Sequence, residues 1–251
     1  MFDRAVYNRF QQLKDAGDYG FAVLIDPDDL TAEDVVEIAQ RCENAQVDFV
    51  FLGGSLVISE HIEMCIQEFK KWSQIPLVLF PGNANQVVKG ADALLYLSLV
   101  SGRNPDLLIG QHVVSAPAVK RSGLEVISTG YMLIDGGKPT TASYMSFTQP
   151  IPHNKPDIAL CTAWAAELQG KHIIYMDAGS GALQPINPKM IKMVSKNIQI
   201  PLIIGGGIRT PELAVQACKA GAQVIVVGNA IEKDSSLIDA ISVAIKGLKG
   251  S

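Results

Sequence analysis

Five short stretches of this chain bring together residues able to do chemistry. In the C-terminal third, Tyr175-Met-Asp-Ala-Gly-Ser-Gly181, Gly205-Gly-Gly-Ile-Arg209 and Gly228-Asn-Ala-Ile231 each follow an apolar run. Glycine leaves backbone N–H groups uncovered, and a helix starting just beyond adds the positive end of its dipole, so such strings seat a phosphate. Asp177 lies two residues after Tyr175, which puts both side chains on one face of a strand. A carboxylate beside a phosphate cradle suits a general base acting on a hydroxyl of the same phosphorylated substrate. The competing reading of Asp177 is a cap on the turn that follows it. Nearer the N-terminus, Asp26-Pro-Asp28-Asp29 ends another apolar run, and carboxylates there suit a Mg2+ that keeps several waters and grips a phosphate. Asp28 and Asp29 also read as acids opening the next helix, which leaves Asp26 as the stronger metal candidate. Gly53-Gly54-Ser55 brings a hydroxyl to a similar strand end, although glycine pairs there are ordinary turn chemistry. Arg209 suits either a phosphate or a surface pair with Glu212.

Eight apolar runs carry these residues. The patterning predicts strands at 21–26, 48–54, 76–81, 93–99, 125–133, 172–177, 201–205 and 223–228. Most are continuously apolar, as parallel strands buried on both faces should be. Helical stretches alternate with them at 31–40, 59–72, 104–121, 156–168, 187–195, 210–219 and 234–248, with an extra helix at 4–16 before the first strand. Thr210-Pro211-Glu212 reads as a cap, a proline at the first helical position and an acid. The segment at 82–90 is too short for a full helix, and a long loop at 134–155 has the length of a lid. This rhythm predicts a single α/β domain over 1–251, a TIM-like (β/α)8 barrel whose helix between strands 3 and 4 is shortened or replaced by a loop. A doubly wound open sheet is the alternative. In a barrel, active sites gather at the C-terminal strand ends, and the loops after strands 7 and 8 are the usual phosphate seat.

The composition narrows the functional classes. A chain of 251 residues that is 48% hydrophobic and 18% charged can fill a large core. A net charge of −4 argues against a broad nucleic-acid surface. The N-terminal residues lack the layout of a signal peptide, and no apolar stretch reaches the roughly 18 residues of a membrane helix. The four cysteines show no paired spacing and read as reduced core thiols of a cytoplasmic protein. His61, His112, His153 and His172 are scattered, without metal-ligand spacing. Trp72 and Trp164 read as helix-face core.

Taken together, Asp26-Pro-Asp, Gly53-Gly-Ser, the Tyr175–Gly181 string, Gly-Gly-Gly-Ile-Arg and Gly228-Asn resemble the geranylgeranylglyceryl phosphate synthase family, which includes bacterial heptaprenylglyceryl phosphate synthases. The likeness runs along essentially the whole chain, shortened segment included. It implies Mg2+-dependent transfer of a geranylgeranyl group from its diphosphate to the C3 hydroxyl of sn-glycerol 1-phosphate, an ether-lipid-forming step. By the same likeness Asp26 and Ser55 match the Mg2+ positions. Tyr175, Met176, Asp177, Ala178, Gly179, Ser180, Gly181, Gly206, Gly207, Gly228 and Asn229 match the glycerol phosphate contacts. Asp177 falls where many members carry glutamate, and Leu24 where some carry lysine, which places the chain nearer the larger-subunit branch of archaea and some bacteria. The resemblance further implies a homo-oligomer, dimer or hexamer, and passing contact with a membrane without an anchor. A gap between strands 3 and 4 would admit the prenyl tail, with Tyr96, Leu97 and Leu99 as lining, and Tyr131 with the 134–155 loop as a cover. Two other classes remain open at this level: a phosphosugar isomerase or lyase, and a non-catalytic phosphoester-binding barrel. The absence of lysine from all eight strand runs counts against Schiff-base chemistry.

Overall fold

The computed structural model describes residues 4–248. Residues 1–3 and 249–251, which belong to the 1–251 domain read from the sequence, lie outside the described residues, as does the side chain of Asp29. Eight strands form a closed barrel in chain order: β1 (Gly20–Ile25), β2 (Phe49–Leu52), β3 (Leu77–Leu79), β4 (Ala93–Leu99), β5 (Glu125–Leu133), β6 (Ile173–Asp177), β7 (Leu202–Gly205) and β8 (Val224–Val227). Every neighbouring pair is parallel, and β1 closes on β8 with Ala22 opposite Val226. That closing pair excludes the open sheet. The helices are α1 (Ala5–Ala16), α2 (Ala32–Asn44), α3 (Ile62–Trp72), α4 (Gln111–Ser122), α5 (Thr141–Ser146), α6 (Pro156–Leu168), α7 (Pro188–Ser195), α8 (Pro211–Ala220), α9 (Asn229–Lys233) and α10 (Leu237–Lys246).

The strand runs are apolar throughout because each strand buries both faces. One set of side chains, including Phe49, Phe51, Leu95, Ile127, Tyr131, Tyr175 and Ile203, fills the barrel interior. The alternate set, including Val50, Leu52, Leu94, Ile174, Met176 and Ile204, packs under the helices. Helix α1, the expected extra helix, joins the interior cluster through Val6, Phe10 and Leu13. Phe10 stacks on Phe49 with ring centroids 4.1 Å apart. The buried Glu125 carboxylate accepts from the Val6 and Tyr7 N–H groups at 2.9 and 2.8 Å. Both are first-turn donors with no partner inside the helix, so Glu125 fixes α1 across the barrel end where β5 begins.

Three connections depart from plain helices. Between β3 and β4 there is only a 3-10 turn, Ala84–Gln86, as the short segment required. The stretch expected as one helix at 104–121 begins as a π-helical turn, Asp106–Gly110, and continues as α4. The 134–155 loop contains α5, which the sequence did not signal because it has six residues and no apolar stripe. It is held by a capping box between Thr140 and Ser143. The loop is also pinned to the sheet, Asp135 donating to the Ile151 carbonyl and Ile151 to that of Leu133 at 2.8 and 2.9 Å. Helix α9, directly after β8, was likewise not anticipated.

Two side-chain expectations need correction. Trp72 and Trp164 are not core: they are 52% and 40% exposed, and the Trp164 indole donates to the Asn197 carbonyl at 2.8 Å. Cys42, Cys65 and Cys218 are buried free thiols, whereas Cys161 is exposed on α6. Burial pushes the Cys42 and Cys218 thiols up to about 12, so neither carries thiolate chemistry.

Candidate active site

At the C-terminal ends of the strands lies a cleft of about 1990 Å³, its open mouth included. Its walls bring together residues from distant parts of the chain: Asp26 and Ser55 on one side, Tyr175, Asp177, Gly179, Ser180 and Gly181 from the end of β6, Gly206 and Gly207 after β7, and Gly228 and Asn229 after β8. Of the residues read from sequence, Met176 and Ala178 do not line it. Met176 points outward under the helices, and the Ala178 N–H is spent on the Gly205 carbonyl at 3.0 Å.

The glycine loops meet edge to edge. Gly206 has a φ of +81°, and a Cβ there would lie 2.7 Å from an Asp177 carboxylate oxygen and 2.6 Å from the Gly179 nitrogen. Only glycine lets the β7 loop approach that closely. Asn229 ties the third loop in: its Oδ1 accepts from the Ser180 hydroxyl at 2.7 Å and the Gly181 N–H at 3.1 Å. An amide oxygen thus sits on a donor pair of the kind a phosphate oxygen uses. Arg209 lines the cleft and donates to the Ala182 carbonyl, tying the β7 and β6 loops.

Asp177 sits at the floor, 8% exposed. Its Oδ2 accepts from the Tyr131 hydroxyl at 2.6 Å and its Oδ1 from the Gly179 N–H at 2.7 Å. The turn cap and the buried carboxylate are therefore the same residue. Burial raises its pKa above the ordinary carboxylate value, and the two hydrogen bonds pull in the opposite direction. The result is a carboxylate more basic than an exposed one, beside the glycine loops after β6 and β7.

Across the cleft, Asp26 accepts from the Asp28 N–H at 3.2 Å. Gly54 allows the β2 loop to lie against it, since a Cβ at Gly54 would fall 2.8 Å from Asp26 Oδ2. Asp28 is absorbed by that loop and accepts from the Ile58 and Ser59 N–H groups at 2.9 Å, in accord with a structural role. Among the described residues no group of three or more His, Cys, Asp or Glu could hold a metal. Of the metal candidates read from the sequence, Asp26 and Ser55 both line the cleft.

Lys138 also lines the cleft, as do Thr141, Lys233 and Leu237. Its Nζ is 3.3 Å from the point a Cβ on Gly181 would occupy, directly over the phosphate loop. No local spacing marks Lys138 in the sequence, because it reaches the site only through the fold of the 134–155 loop.

A second cavity of about 930 Å³ opens beside the first. Phe80, Leu95, Leu97, Leu99 and Leu107 make it largely apolar, with Tyr96 and the α5 residues Ala142 and Met145. It exists because only the turn Ala84–Gln86 stands between β3 and β4, where a helix would otherwise cover the barrel. Gly54, Ser55, Phe80 and Tyr131 line both cavities and form their boundary.

Comparison with known proteins gives a consistent picture. A model described as the PcrB family matches residues 13–245. The chain is 58% identical to the geranylgeranylglyceryl phosphate synthase of Chitinophaga pinensis over 97% of its own length and 98% of the relative's. It is 42% identical to the enzyme of that name from Thermococcus kodakarensis over 86% and 85% of the two chains. The crystal structure of (S)-3-O-geranylgeranylglyceryl phosphate synthase from Thermoplasma acidophilum, in complex with its substrate sn-glycerol-1-phosphate, is similar with a TM-score of 0.90 at 28% identity, over 97% of this chain and 98% of that one.

Proposed function

We propose a function from the premise that this chain belongs to the PcrB family: it is a prenyltransferase that joins geranylgeranyl diphosphate to the C3 hydroxyl of sn-glycerol 1-phosphate and releases diphosphate. The observation that carries the reading is the pair of cavities meeting at Phe80 and Tyr131. A polar cleft with a buried carboxylate suits the glycerol phosphate, and an apolar groove opening from it suits the tail. A phosphosugar isomerase has no use for the groove.

In this reading the whole chain works as one barrel domain. The donors after β6, with Gly206, Gly207, Gly228 and Asn229, hold the phosphate, and Lys138 adds a cation over it. Asp177 is the base whose carboxylate takes up the proton released when the hydroxyl attacks. Asp26 and Ser55 would hold Mg2+. The oxygen-only donor set fits, since Mg2+ binds through one or two carboxylates and keeps waters and substrate phosphate oxygens as its other ligands. When bound there it neutralises the diphosphate leaving group.

No helix among the described residues is long and apolar enough to cross a membrane, which accords with a cytoplasmic enzyme touching the bilayer only to exchange lipid substrate and product. Exposed Ile109, Val113 and Val114 around the start of α4, with Trp164 and Leu168 on α6, support a homo-oligomer, dimer or hexamer; sedimentation velocity reads this directly.

Titration calorimetry tests the two-cavity reading. sn-Glycerol 1-phosphate and the unreactive thiolodiphosphate analogue of geranylgeranyl diphosphate should each bind alone and also together, as a ternary complex. Mutual exclusion would contradict it.

A further inference from the structure

The two substrates must meet where the two cavities meet. Asp177 lines only the cleft, whereas Tyr131 lines cleft and groove alike. Of the four residues at that boundary, Ser55 and Tyr131 alone have a side-chain proton to exchange, and Tyr131 is the one whose hydroxyl is bonded to Asp177, at 2.6 Å. The phenol is tightly placed. Its ring meets those of Phe80 and Tyr175 edge-on at 5.8 and 5.5 Å, and only 9% of the residue is exposed. Asp177 Oδ1 is meanwhile occupied by the Gly179 N–H.

On the reading that the chain is a prenyltransferase, we propose that Tyr131 is a catalytic residue: its phenol oxygen takes the proton of the attacking glycerol hydroxyl while its own proton passes to Asp177. The hydroxyl oxygen supplies the electron pair of the new C–O bond. The allylic C–O bond breaks, and its pair leaves on the diphosphate. The displaced proton moves from the substrate oxygen to Tyr131 Oη, and the phenol proton moves along the existing hydrogen bond to Asp177 Oδ2. Asp177 ends neutral and returns its proton to solvent once the product has left the cleft. Among the described residues, the phenols Tyr131 on β5 and Tyr175 on β6 act on Asp177 directly, while Lys138, Arg209 and Lys233, with Asp26, Glu232 and Asp234, line the same cleft. Burial, with Asp177 beside them, holds both phenols far above the ordinary tyrosine value. Tyr131 therefore does not ionise on its own and needs Asp177 to accept its proton in the same step.

The test compares wild type, Tyr131→Phe, Asp177→Asn and the double variant, each as the full chain with Mg2+, geranylgeranyl diphosphate and labelled sn-glycerol 1-phosphate. Tyr131→Phe keeps the ring and should stay folded, melting roughly 2–10 °C lower for the lost hydrogen bond to buried Asp177. Its kcat should fall by roughly 100-fold or more, the range of a lost proton-transfer group, with KM for glycerol phosphate within about threefold. Because the two residues act as one unit, the double variant should be no slower than Asp177→Asn alone by more than about threefold. The acid limb of the residual Tyr131→Phe rate should move to higher pH, since Asp177 has lost a hydrogen bond that held its proton affinity down. A kcat near that of wild type, a loss confined to KM, or a double variant losing the product of the two single effects would overturn the relay while leaving the prenyltransferase reading intact. A wild-type chain that forms no lipid product would overturn both.

Discussion

The environment of Asp177 sets two opposing demands. A general base must be ionised to work, yet burial favours its neutral form and raises its pKa. The rate should therefore fall with decreasing pH at a value above the ordinary carboxylate range, read from kcat against pH. The stability effect has the opposite sign. A carboxyl whose folded pKa exceeds its unfolded one stabilises the fold below the unfolded value, and that contribution is lost as pH rises through the folded value. At neutral pH the ionised Asp177 is thus a cost to the fold. Asp177→Asn should remove roughly 10²–10⁴-fold in kcat with a melting temperature equal to or above that of wild type; a lower one would mean that Asp177 is mainly structural. Lys138→Ala should raise KM for glycerol phosphate roughly tenfold, the scale of one lost charge-assisted hydrogen bond, and leave KM for the prenyl diphosphate unchanged. Asp177 and the loop glycines were legible in the sequence because the chemistry they share is local, within a few residues of each strand end. Tyr131 was legible only as a cover over the opening, and Lys138 not at all, because their partners lie 46 residues away across the sheet in one case and at the phosphate loop in the other.

At the scale of elements, the missing β3–β4 helix explains the groove, and the proposed function makes that groove the place where tail length is read. Leu97→Trp adds bulk on β4 at a residue that lines the groove. It should shift kcat/KM toward a shorter tail such as farnesyl by roughly tenfold, within the range a hydrophobic pocket can discriminate, with KM for glycerol phosphate unchanged. An unaltered tail preference would place the tail elsewhere. The eight strands could be read in advance because burial on both faces leaves a continuous apolar run; 93–99 and 125–133 match the observed strands, and the other ends differ by at most two residues, as where 48–54 became Phe49–Leu52. Helices α5 and α9 could not, being of six and five residues, too short to show an apolar stripe. The exposed Trp72 and Trp164 mark the same limit: residue type suggested core, but a helix covering the barrel also has an outer face.

For the molecule as a whole, the barrel separates stability from chemistry by placing them at opposite ends. Helix α1 closes the end where β5 begins, through Phe10 and the Glu125 carboxylate, and the candidate active site lies at the other. Glu125→Ala leaves two first-turn N–H groups without acceptors, which should cost about 2–4 kcal/mol and lower the melting temperature by roughly 5–12 °C, while kcat at room temperature stays near wild type. A loss of activity without a loss of stability would show that the two ends are coupled. In the proposed reaction, the cleft and the groove hold the two substrates that are joined. The most direct measurement supplies radiolabelled sn-glycerol 1-phosphate, Mg2+ and prenyl diphosphates of several lengths, with sn-glycerol 3-phosphate in parallel, and follows label into organic solvent. A lipid-soluble product is expected from the 1-phosphate, greatest with the geranylgeranyl tail and strongly reduced with the 3-phosphate. A folded chain that binds glycerol phosphate yet transfers no tail of any length would contradict the proposed reaction.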